Sequence, residues 1–329
     1  MATSSSKDCD NNNVIVFGPT GDVGGFAALE ASRRGAKVWL AMRDMAKTVA
    51  VLQEEKSSFE RVRADLSDAA SVTTAVRTSG ATAAFVYLVP TNDGLRSSLA
   101  AMQAAGIEFV VFISTYSIPS NVDVRAVPAS SVIAFEHAAV EAALEDLQLA
   151  HVALRPAYFA SNPFKLAFDL SSSSTSGLEA YVSNGDCLAD CIAPDDIGRV
   201  AGALLASSSS SSSSSPPLKR VYNLCGPQLL TFDAMLAAIG RVAEVGVNIH
   251  HVDAARWVDV MADELRALPR PAAVFLTEYY ARGFVSAQDA RYAPAVANVK
   301  ELTGRDAMSF DDYLRLHCRR LLPGVGGGG

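Results

Sequence analysis

Several features are scarce or missing in this sequence of 329 residues, and each absence excludes a class of protein. Lys and Arg number 28 against 35 Asp and Glu, so the net charge of -7 leaves no basic stripe for nucleic-acid phosphates. The five cysteines are odd in number and scattered, which fits reduced thiols of a cytosolic protein and not a disulfide framework. Cys187 and Cys191 lie too far from other ligand types to predict a metal site.

The chain also lacks long apolar runs. None is long enough to span a bilayer, and residues 1–13 are polar and acidic, without the apolar centre of a secretory signal. We therefore expect no membrane interaction, a cytoplasmic location, and disordered tails at residues 1–13 and 324–329.

The composition of the whole chain, 50% hydrophobic and 19% charged, is that of a globular protein. In the first half of the chain, short apolar runs alternate with helical stretches. The predicted strands, mostly apolar, are 14–17, 38–42, 62–66, 83–89 and 109–114. The predicted crossover helices are 26–34, 69–78 and 95–105. This alternation predicts an α/β fold with a Rossmann-like doubly wound parallel sheet.

A longer helix at 131–147 and a strand at 151–154 follow, and then the pattern becomes less regular, with a Ser-rich stretch at 171–176 and a helix that begins at Pro194. We therefore predict an NAD(P)-binding Rossmann domain over residues 14–156. A smaller C-terminal substrate lobe is predicted over 157–323, with some elements that return to the Rossmann sheet.

A tract of nine serines followed by two prolines interrupts this lobe at residues 207–217. Such a segment cannot bury a core, so we predict a surface loop between the helix that begins at Pro194 and a strand at 220–224. A phosphorylation switch is the alternative.

A glycine-rich turn follows the first predicted strand and precedes the first helix, which is the context of a nucleotide-binding turn. Its glycines let the chain turn sharply and let backbone N–H groups approach a diphosphate, whose charge the helix N-terminus favours. A turn without a ligand is the alternative. The predicted cofactor site contains Gly18, Thr20, Gly21, Asp22, Val23 and Gly24.

The residue that recognises the ribose is expected at the end of the second strand, where this sequence has Arg43. A guanidinium pairs with a 2′-phosphate, whereas NAD sites use an acidic residue for the free 2′-hydroxyl, so Arg43 predicts NADP(H). Asp44 is either the ribose ligand itself or, as we favour, a helix N-cap.

Three stretches carry a resemblance to a known family. They are the spacing Gly18-x-x-Gly21-x-x-Gly24, the segment 135–162 with Leu154-Arg155-Pro156, and Pro194-Asp195-Asp196-Ile197-Gly198. They resemble the NmrA-like family of atypical short-chain dehydrogenases, particularly its fungal NAD(P)-binding members, over nearly the whole chain. The resemblance implies a Rossmann domain, a smaller C-terminal lobe, and a cofactor in the cleft. It further implies that three pairs of residues contact the cofactor: Asp65 and Leu66 near the adenine, Val89 and Pro90 along the cofactor, and Ser114 and Thr115 near the nicotinamide. We add Tyr158 to the predicted cofactor contacts.

The proton-donating Tyr-x-x-x-Lys of short-chain dehydrogenases is missing. His137 stands where reductase-like relatives carry Lys, and the residue four before it is Ile133, which has no transferable proton. His137 either acts as general acid or ribose ligand, or lies on a half-apolar helix face with a backbone carbonyl as its partner.

Two further tyrosine positions are candidates. Tyr116 follows the fifth strand, at the carboxyl edge where open α/β sheets bind ligands, and either donates a proton or packs at the strand end. Tyr279 and Tyr280 either cap an aromatic substrate or pack in a core.

Two functions remain open at this point. The first is an NADPH-dependent reductase or isomerase for a small carbonyl metabolite, with an aromatic polyketide as one example. The second is a non-catalytic NADP(H) sensor that binds a regulatory protein partner, which the missing Tyr and Lys support.

Overall fold

The computed structural model describes residues 12–53, 59–174, 177–207, 220–265 and 267–322. The predicted tails and the predicted Ser/Pro loop lie outside these ranges, apart from residues 12, 13 and 207. The strands are β1 (Asn13–Phe17), β2 (Lys37–Met42), β3 (Glu60–Arg63), β4 (Ala83–Tyr87), β5 (Phe109–Ile113), β6 (Ala150–Pro156), β7 (Phe168–Ser174), β8 (Gly177–Val182), β9 (Leu188–Ala189), β10 (Val221–Leu224), β11 (Leu230–Thr231) and β12 (Gly246–His251). The α-helices are α1 (Gly24–Arg33), α2 (Ala69–Ser79), α3 (Arg96–Ala105), α4 (Val132–Asp146), α5 (Asn162–Leu166), α6 (Pro194–Ser207), α7 (Phe232–Ala243), α8 (Ala254–Asp259), α9 (Arg270–Ala281), α10 (Tyr292–Thr303) and α11 (Phe310–Leu321).

Seven strands form the main sheet, in the order β3-β2-β1-β4-β5-β6-β10. The pairs β1–β2, β1–β4, β2–β3 and β4–β5 are parallel. The strand order reverses direction beside β1, which is the switch point of a Rossmann-like fold and confirms the predicted class. β1 is buried along its whole length, as expected for a central strand of a sheet with helices on both faces.

Local sequence explains where helices begin and end. The side chain of Asp68 accepts a hydrogen bond from the backbone N–H of Ala70 and caps the start of α2. Gly80, with φ of 57°, ends the same helix in the left-handed conformation that glycine adopts without a steric cost. The observed helix α2 is therefore only one residue longer than the helix predicted over 69–78.

The chain divides into two compact units. Unit 1 contains the described residues up to Ile113, Val140–Ala153, and those of Gly198–Val221. Unit 2 contains Ser114–Ala139, Leu154–Ile197 and the described residues from Tyr222 onward.

Unit 2 has two small sheets of its own. β8 lies in the centre of a three-stranded sheet, parallel to β12 and antiparallel to β7. β9 and β11 form an antiparallel pair. β7 runs through Ser174, so part of the Ser-rich stretch that we predicted to be irregular is a strand. No helix in the described ranges combines the length and the apolar character needed to cross a membrane.

Candidate active site

The turn between β1 and α1 requires glycine at two positions. Gly18 has φ of +66°, and a Cβ there would lie 2.5 Å from the ring of Tyr87. A Cβ on Gly24 would lie 2.4 Å from the carbonyl oxygen of Gly18, to which the N–H of Gly21 donates a hydrogen bond of 3.1 Å. The predicted Gly-x-x-Gly-x-x-Gly spacing therefore reflects a turn in which the backbone folds tightly onto itself.

The N-terminus of α1 follows the glycine turn directly. The residue before the helix, Val23, makes no side-chain cap hydrogen bond. The first N–H groups of an α-helix have no partner within the helix, and they favour negative charge. The residues of the turn therefore fit the diphosphate of a dinucleotide.

A pocket of about 490 Å³ opens beside this turn, at the carboxyl ends of β1, β2 and β4. Arg43 and Lys47 both line it, and Arg43 is exposed. Sequence reasoning found Arg43 but missed Lys47 and Tyr87. The pocket is lined by Phe17, Gly18, Pro19, Thr20, Ala41, Met42, Arg43, Asp44, Lys47, Ala64, Leu66 and Tyr87.

The segment after β2 is held in a turn. Nη1 of Arg61 donates hydrogen bonds to the carbonyl oxygens of Met45, at 2.8 Å, and Lys47, at 3.2 Å. Oδ1 of Asp44 accepts the N–H of Ala46 at 3.0 Å. Asp44 thus caps a turn and not a helix, because the next helical residues are a single 3₁₀ turn at Ala50–Leu52. The predicted helix N-cap is wrong, and the ribose role of Asp44 stays a prediction.

Asp65 follows β3 and has a stabilised charge. Its Oδ1 accepts hydrogen bonds from the N–H and the hydroxyl of Ser67, at 2.9 and 2.8 Å. These bonds lower the pKa of Asp65 below its ordinary value, and the charge of Arg43 adds to the effect. Leu66, the next residue, is buried and lines the pocket.

Val89 and Pro90 follow β4. The first is half-buried and the second is exposed. The residue of β4 that lines the pocket is Tyr87, and burial raises the pKa of its hydroxyl.

Ser114, Thr115 and Tyr116 belong to unit 2. The N–H groups of Ser114 and Tyr116 donate to the carbonyl oxygens of Leu154 and Pro156, at 2.7 and 3.0 Å. The hydroxyls of Thr115 and Ser117 lie 3.0 Å apart, within hydrogen-bonding distance. Ser114 is buried, whereas Thr115 is half-buried.

The side chain of Tyr116 is buried in a polar cluster that the sequence did not predict. Its hydroxyl donates to Oδ2 of Asp289 at 2.9 Å, and the guanidinium of Arg291 lies 3.9 Å from its ring centroid. Arg291 also donates to Asp289 and to the carbonyl oxygen of Tyr116. Burial raises the pKa of the Tyr116 phenol far above its ordinary value, so this phenol holds its proton. No local pattern in the sequence joins residues that lie 173 positions apart.

His137 lies on α4 and is half-buried. Its Nδ1 is 2.7 Å from the carbonyl oxygen of Ile133. A carbonyl only accepts, so Nδ1 carries a proton, and Nε2 of the neutral ring carries none. A backbone carbonyl as the partner of His137 was one of the two predicted surroundings.

Tyr158 lies in an aromatic cluster of unit 2. Its ring centroid is 5.2 Å from that of Phe232, 5.5 Å from that of Phe284 and 6.3 Å from that of Tyr280. Tyr280 is buried, and Tyr279 is half-buried.

Asp190 is a buried acid that sequence reasoning missed. Its side chain is fully buried, with Oδ1 accepting the N–H of Tyr158 at 2.9 Å and Oδ2 accepting that of Gly226 at 2.8 Å. Burial raises the pKa of Asp190 to about 7. The described cysteines, Cys187, Cys191, Cys225 and Cys318, are free thiols.

Comparison with known proteins gives consistent findings. A family model described as NAD(P)H-binding matches residues 18–193. The nitrogen metabolite regulation-like protein bik4 of Gibberella fujikuroi is 34% identical over 327 residues, 94% of this chain and 97% of that protein. The (4-alkanoyl-5-oxo-2,5-dihydrofuran-3-yl)methyl phosphate reductase of Streptomyces griseus subsp. griseus is 28% identical, covering 94% of this chain and 99% of that one. The triphenylmethane reductase of Citrobacter sp., solved with NADP(H), shares the fold with a TM-score of 0.65 at 16% identity, over 92% of this chain and 99% of that chain.

Proposed function

Since this chain belongs to the NmrA-like, NAD(P)H-binding family of atypical short-chain dehydrogenases, we propose that it is a cytosolic NADPH-dependent oxidoreductase for a small carbonyl compound. The observation that carries the proposal is the pocket beside the glycine turn, in which Arg43 and Lys47 lie together with Gly18. A reductase among its relatives supports the same type of reaction.

The two cations favour a cofactor with a 2′-phosphate. A guanidinium binds a phosphate with two parallel hydrogen bonds, and a lysine adds a point charge. The turn held by Arg61 keeps the backbone of Lys47 fixed, so less conformational freedom is lost when a phosphate binds. The charge of Arg43 in turn favours the ionised form of Asp65, after the hydrogen bonds from Ser67.

NADPH, when bound, supplies the hydride that reduces a carbonyl carbon. The protein's own task is to deliver a proton to the carbonyl oxygen. We assign this proton to His137, an imidazole at the position where the family resemblance expects a lysine. Tyr116 is the weaker candidate, since its hydroxyl is donated to Asp289 and its raised pKa makes it a poor acid.

Calorimetric titration with NADPH and NADH tests the proposal. We expect NADPH to bind more tightly, and Arg43→Ala and Lys47→Ala each to weaken NADPH binding by about ten-fold with little effect on NADH. The matched control is Lys37→Ala, because Lys37 lies over the Trp39 ring and not in the pocket. Equal affinities for the two nucleotides, or a preference that survives in the double variant, would contradict the NADPH assignment.

Turnover decides between this function and a second one. The relative with 34% identity is named as a regulation-like protein, and the chain lacks Tyr-x-x-x-Lys, which favours an NADP(H) sensor that binds a protein partner. Consumption of NADPH with any member of a panel of aromatic aldehydes, ketones and quinones supports the enzyme. Tight nucleotide binding without turnover on that panel supports the sensor.

A further inference from the structure

A cavity of about 300 Å³ in unit 2 is not used by the proposed function. It lies beside the C-terminal end of α7 and the second half of α11, two helices that pack against each other. A cavity of about 150 Å³ holds a benzene ring, which has six non-hydrogen atoms. The present cavity therefore has room for a ligand of about twelve such atoms.

The inner wall of this cavity is apolar, and among the described residues it contains no aromatic ring. Leu314, Cys318 and Leu322 recur at intervals of four residues, so they form one apolar stripe along α11 and the residue that follows it. All three are buried, and the half-buried Val242 and Ala243 of α7 complete the wall. Such a wall favours a flexible aliphatic chain, because it offers no ring surface for stacking.

The outer part of the cavity is charged. It is lined by Arg315 and Arg319, four residues apart on α11, and by Glu244 after α7. All three are exposed, so the cavity meets solvent there. Arg315 already donates a hydrogen bond to Oδ1 of Asp312 at 2.6 Å. Within the described part of the chain, the guanidinium of Arg319 has neither a hydrogen-bond nor an ion-pair partner, so an incoming anion is expected at Arg319.

Glu244 and the ends of the two helices oppose an anion, since helix C-termini carry partial negative charge. Basic residues in the last turn offset that charge, and the last turn of α11 has two, Arg319 and Arg320. Each methylene group of a ligand that is buried raises its affinity by about three- to four-fold. An aliphatic chain therefore supplies the affinity, and Arg319 supplies the preference for an anion.

We propose that this cavity binds an aliphatic carboxylate of about eight to ten carbons, which matches the volume. Its chain packs against the apolar stripe of α11, and its carboxylate pairs with Arg319 through the two parallel hydrogen bonds that a guanidinium offers. The proposal goes beyond the oxidoreductase function, because the site lies within unit 2 and requires no nucleotide.

Calorimetry with the full-length protein, without nucleotide, tests the proposal. Affinity should rise by about three- to four-fold per methylene group from hexanoate through octanoate to decanoate. 1-Octanol and octylammonium carry the same chain as octanoate with a different charge. We expect octanoate to bind about three- to five-fold more tightly than 1-octanol, the effect of one exposed ion pair, and octylammonium to bind most weakly.

Charge variants locate the carboxylate. Arg319→Gln should remove the preference for octanoate and leave 1-octanol binding unchanged, whereas Glu244→Gln should strengthen octanoate binding because it removes a like charge. The matched control is Arg320→Gln. Arg320 is exposed and lies in the same last turn of α11, but it is not among the residues that line the cavity, so this variant should keep the preference.

Two further measurements test the apolar part. In Ala243→Leu the larger side chain fills the cavity, and octanoate and 1-octanol should both bind about ten-fold more weakly while the melting temperature is retained. In the wild type, decanoate should slow the alkylation of Cys318 by iodoacetamide, followed by mass spectrometry. Cys187 is the internal reference, because it is 7% exposed against 4% for Cys318 and does not line the cavity.

Four results would overturn the proposal. They are the absence of binding by all five probes, equal or tighter binding of 1-octanol or octylammonium than of octanoate, the same preference for octanoate in Arg319→Gln as in Arg320→Gln, and full binding in folded Ala243→Leu. If Ala243→Leu does not fold, equal alkylation of Cys318 with and without decanoate has the same meaning. None of these outcomes depends on NADPH, so they are distinct from a failure of the proposed function.

Discussion

At the scale of single residues, His137 and His151 share one type of contact and have different expected roles. Both are half-buried, and both have Nδ1 within hydrogen-bonding distance of a backbone carbonyl oxygen: that of Ile133 at 2.7 Å for His137, and that of Leu149 at 2.8 Å for His151. The carbonyl contact is therefore no sign of catalysis by itself. What distinguishes His137 is its place on α4, the position where the family resemblance leads us to expect a lysine.

We predict that His137→Ala lowers kcat for NADPH-dependent carbonyl reduction by about 100-fold, the usual contribution of a general acid. KM should change little, because the lost interaction belongs to the transition state. His151→Ala, the matched control, should keep its kcat. His137→Lys restores a protonated donor and should recover part of the activity. Steady-state kinetics on the best substrate of the aldehyde, ketone and quinone panel measures all three, and equal kcat in the two alanine variants would remove His137 from the mechanism.

At the scale of elements, close packing between α1 and α6 holds the nucleotide turn in place. A Cβ on Gly198 would lie 2.4 Å from Cβ of Phe26 and 2.7 Å from the carbonyl oxygen of Val23. One on Gly202 would lie 2.5 Å from the carbonyl oxygen of Ala27. Glycine is therefore required at position 198, in the Pro-Asp-Asp-Ile-Gly stretch, because the backbones of α1 and α6 approach each other closely there.

We predict that Gly198→Ala lowers the free energy of unfolding by about 1–3 kcal/mol, because the added methyl group forces α1 away from α6. The N-terminus of α1 moves with the helix, so NADPH affinity should fall as well. Urea unfolding and calorimetry measure the two effects. Gly177→Ala is the control, since a Cβ there has no neighbour closer than 3.8 Å. If Gly198→Ala were as stable as this control, the packing argument would fail.

The elements that the sequence predicted are those with a strong local signal. Strands β1, β2, β4 and β5 are mostly apolar, and the helices between the first five strands have the expected spacing, so their bounds agree within a few residues. β3 (Glu60–Arg63) is mostly charged, and the apolar pattern placed it two residues too late. β7 was missed because backbone pairing with β8 forms it, and its serines give no apolar pattern. β12 was missed because its residues, largely exposed, end in two histidines.

The residues of the candidate site also fall into two groups, those that local sequence predicts and those that only the folded chain brings together. The glycine turn and Arg43 follow from spacing along the chain, since a strand and a helix bracket them. Lys47 enters the pocket only through the turn that Arg61 holds, and Asp289 meets Tyr116 only in the folded chain. Such residues have no neighbouring motif, so three-dimensional contacts are needed to find them.

At the scale of the whole molecule, Asp190 links stability to pH. Its carboxylate joins the loop after β6 to the one after β10 through the N–H groups of Tyr158 and Gly226. Burial raises its pKa from 3.8 to about 7 in the folded protein. Between these two values the folded chain binds one more proton than the unfolded chain, so the free energy of unfolding falls as the pH rises. The stabilisation that protonated Asp190 contributes is fully present below the pKa of the unfolded chain, 3.8, and is lost as the pH rises through about 7.

We therefore predict that the stability advantage of the wild type over Asp190→Asn shrinks between about pH 5 and about pH 8. The asparagine does not titrate, and every other group is common to both proteins, so the difference between them isolates Asp190. At the lower pH the wild type should be the more stable by about 1–3 kcal/mol, because an amide accepts only one of the two N–H bonds and leaves its NH₂ facing the other donor. Urea unfolding at several pH values measures the difference. A difference independent of pH would mean that the two N–H donors outweigh burial and keep Asp190 ionised in the folded protein, with a pKa near that of the unfolded chain.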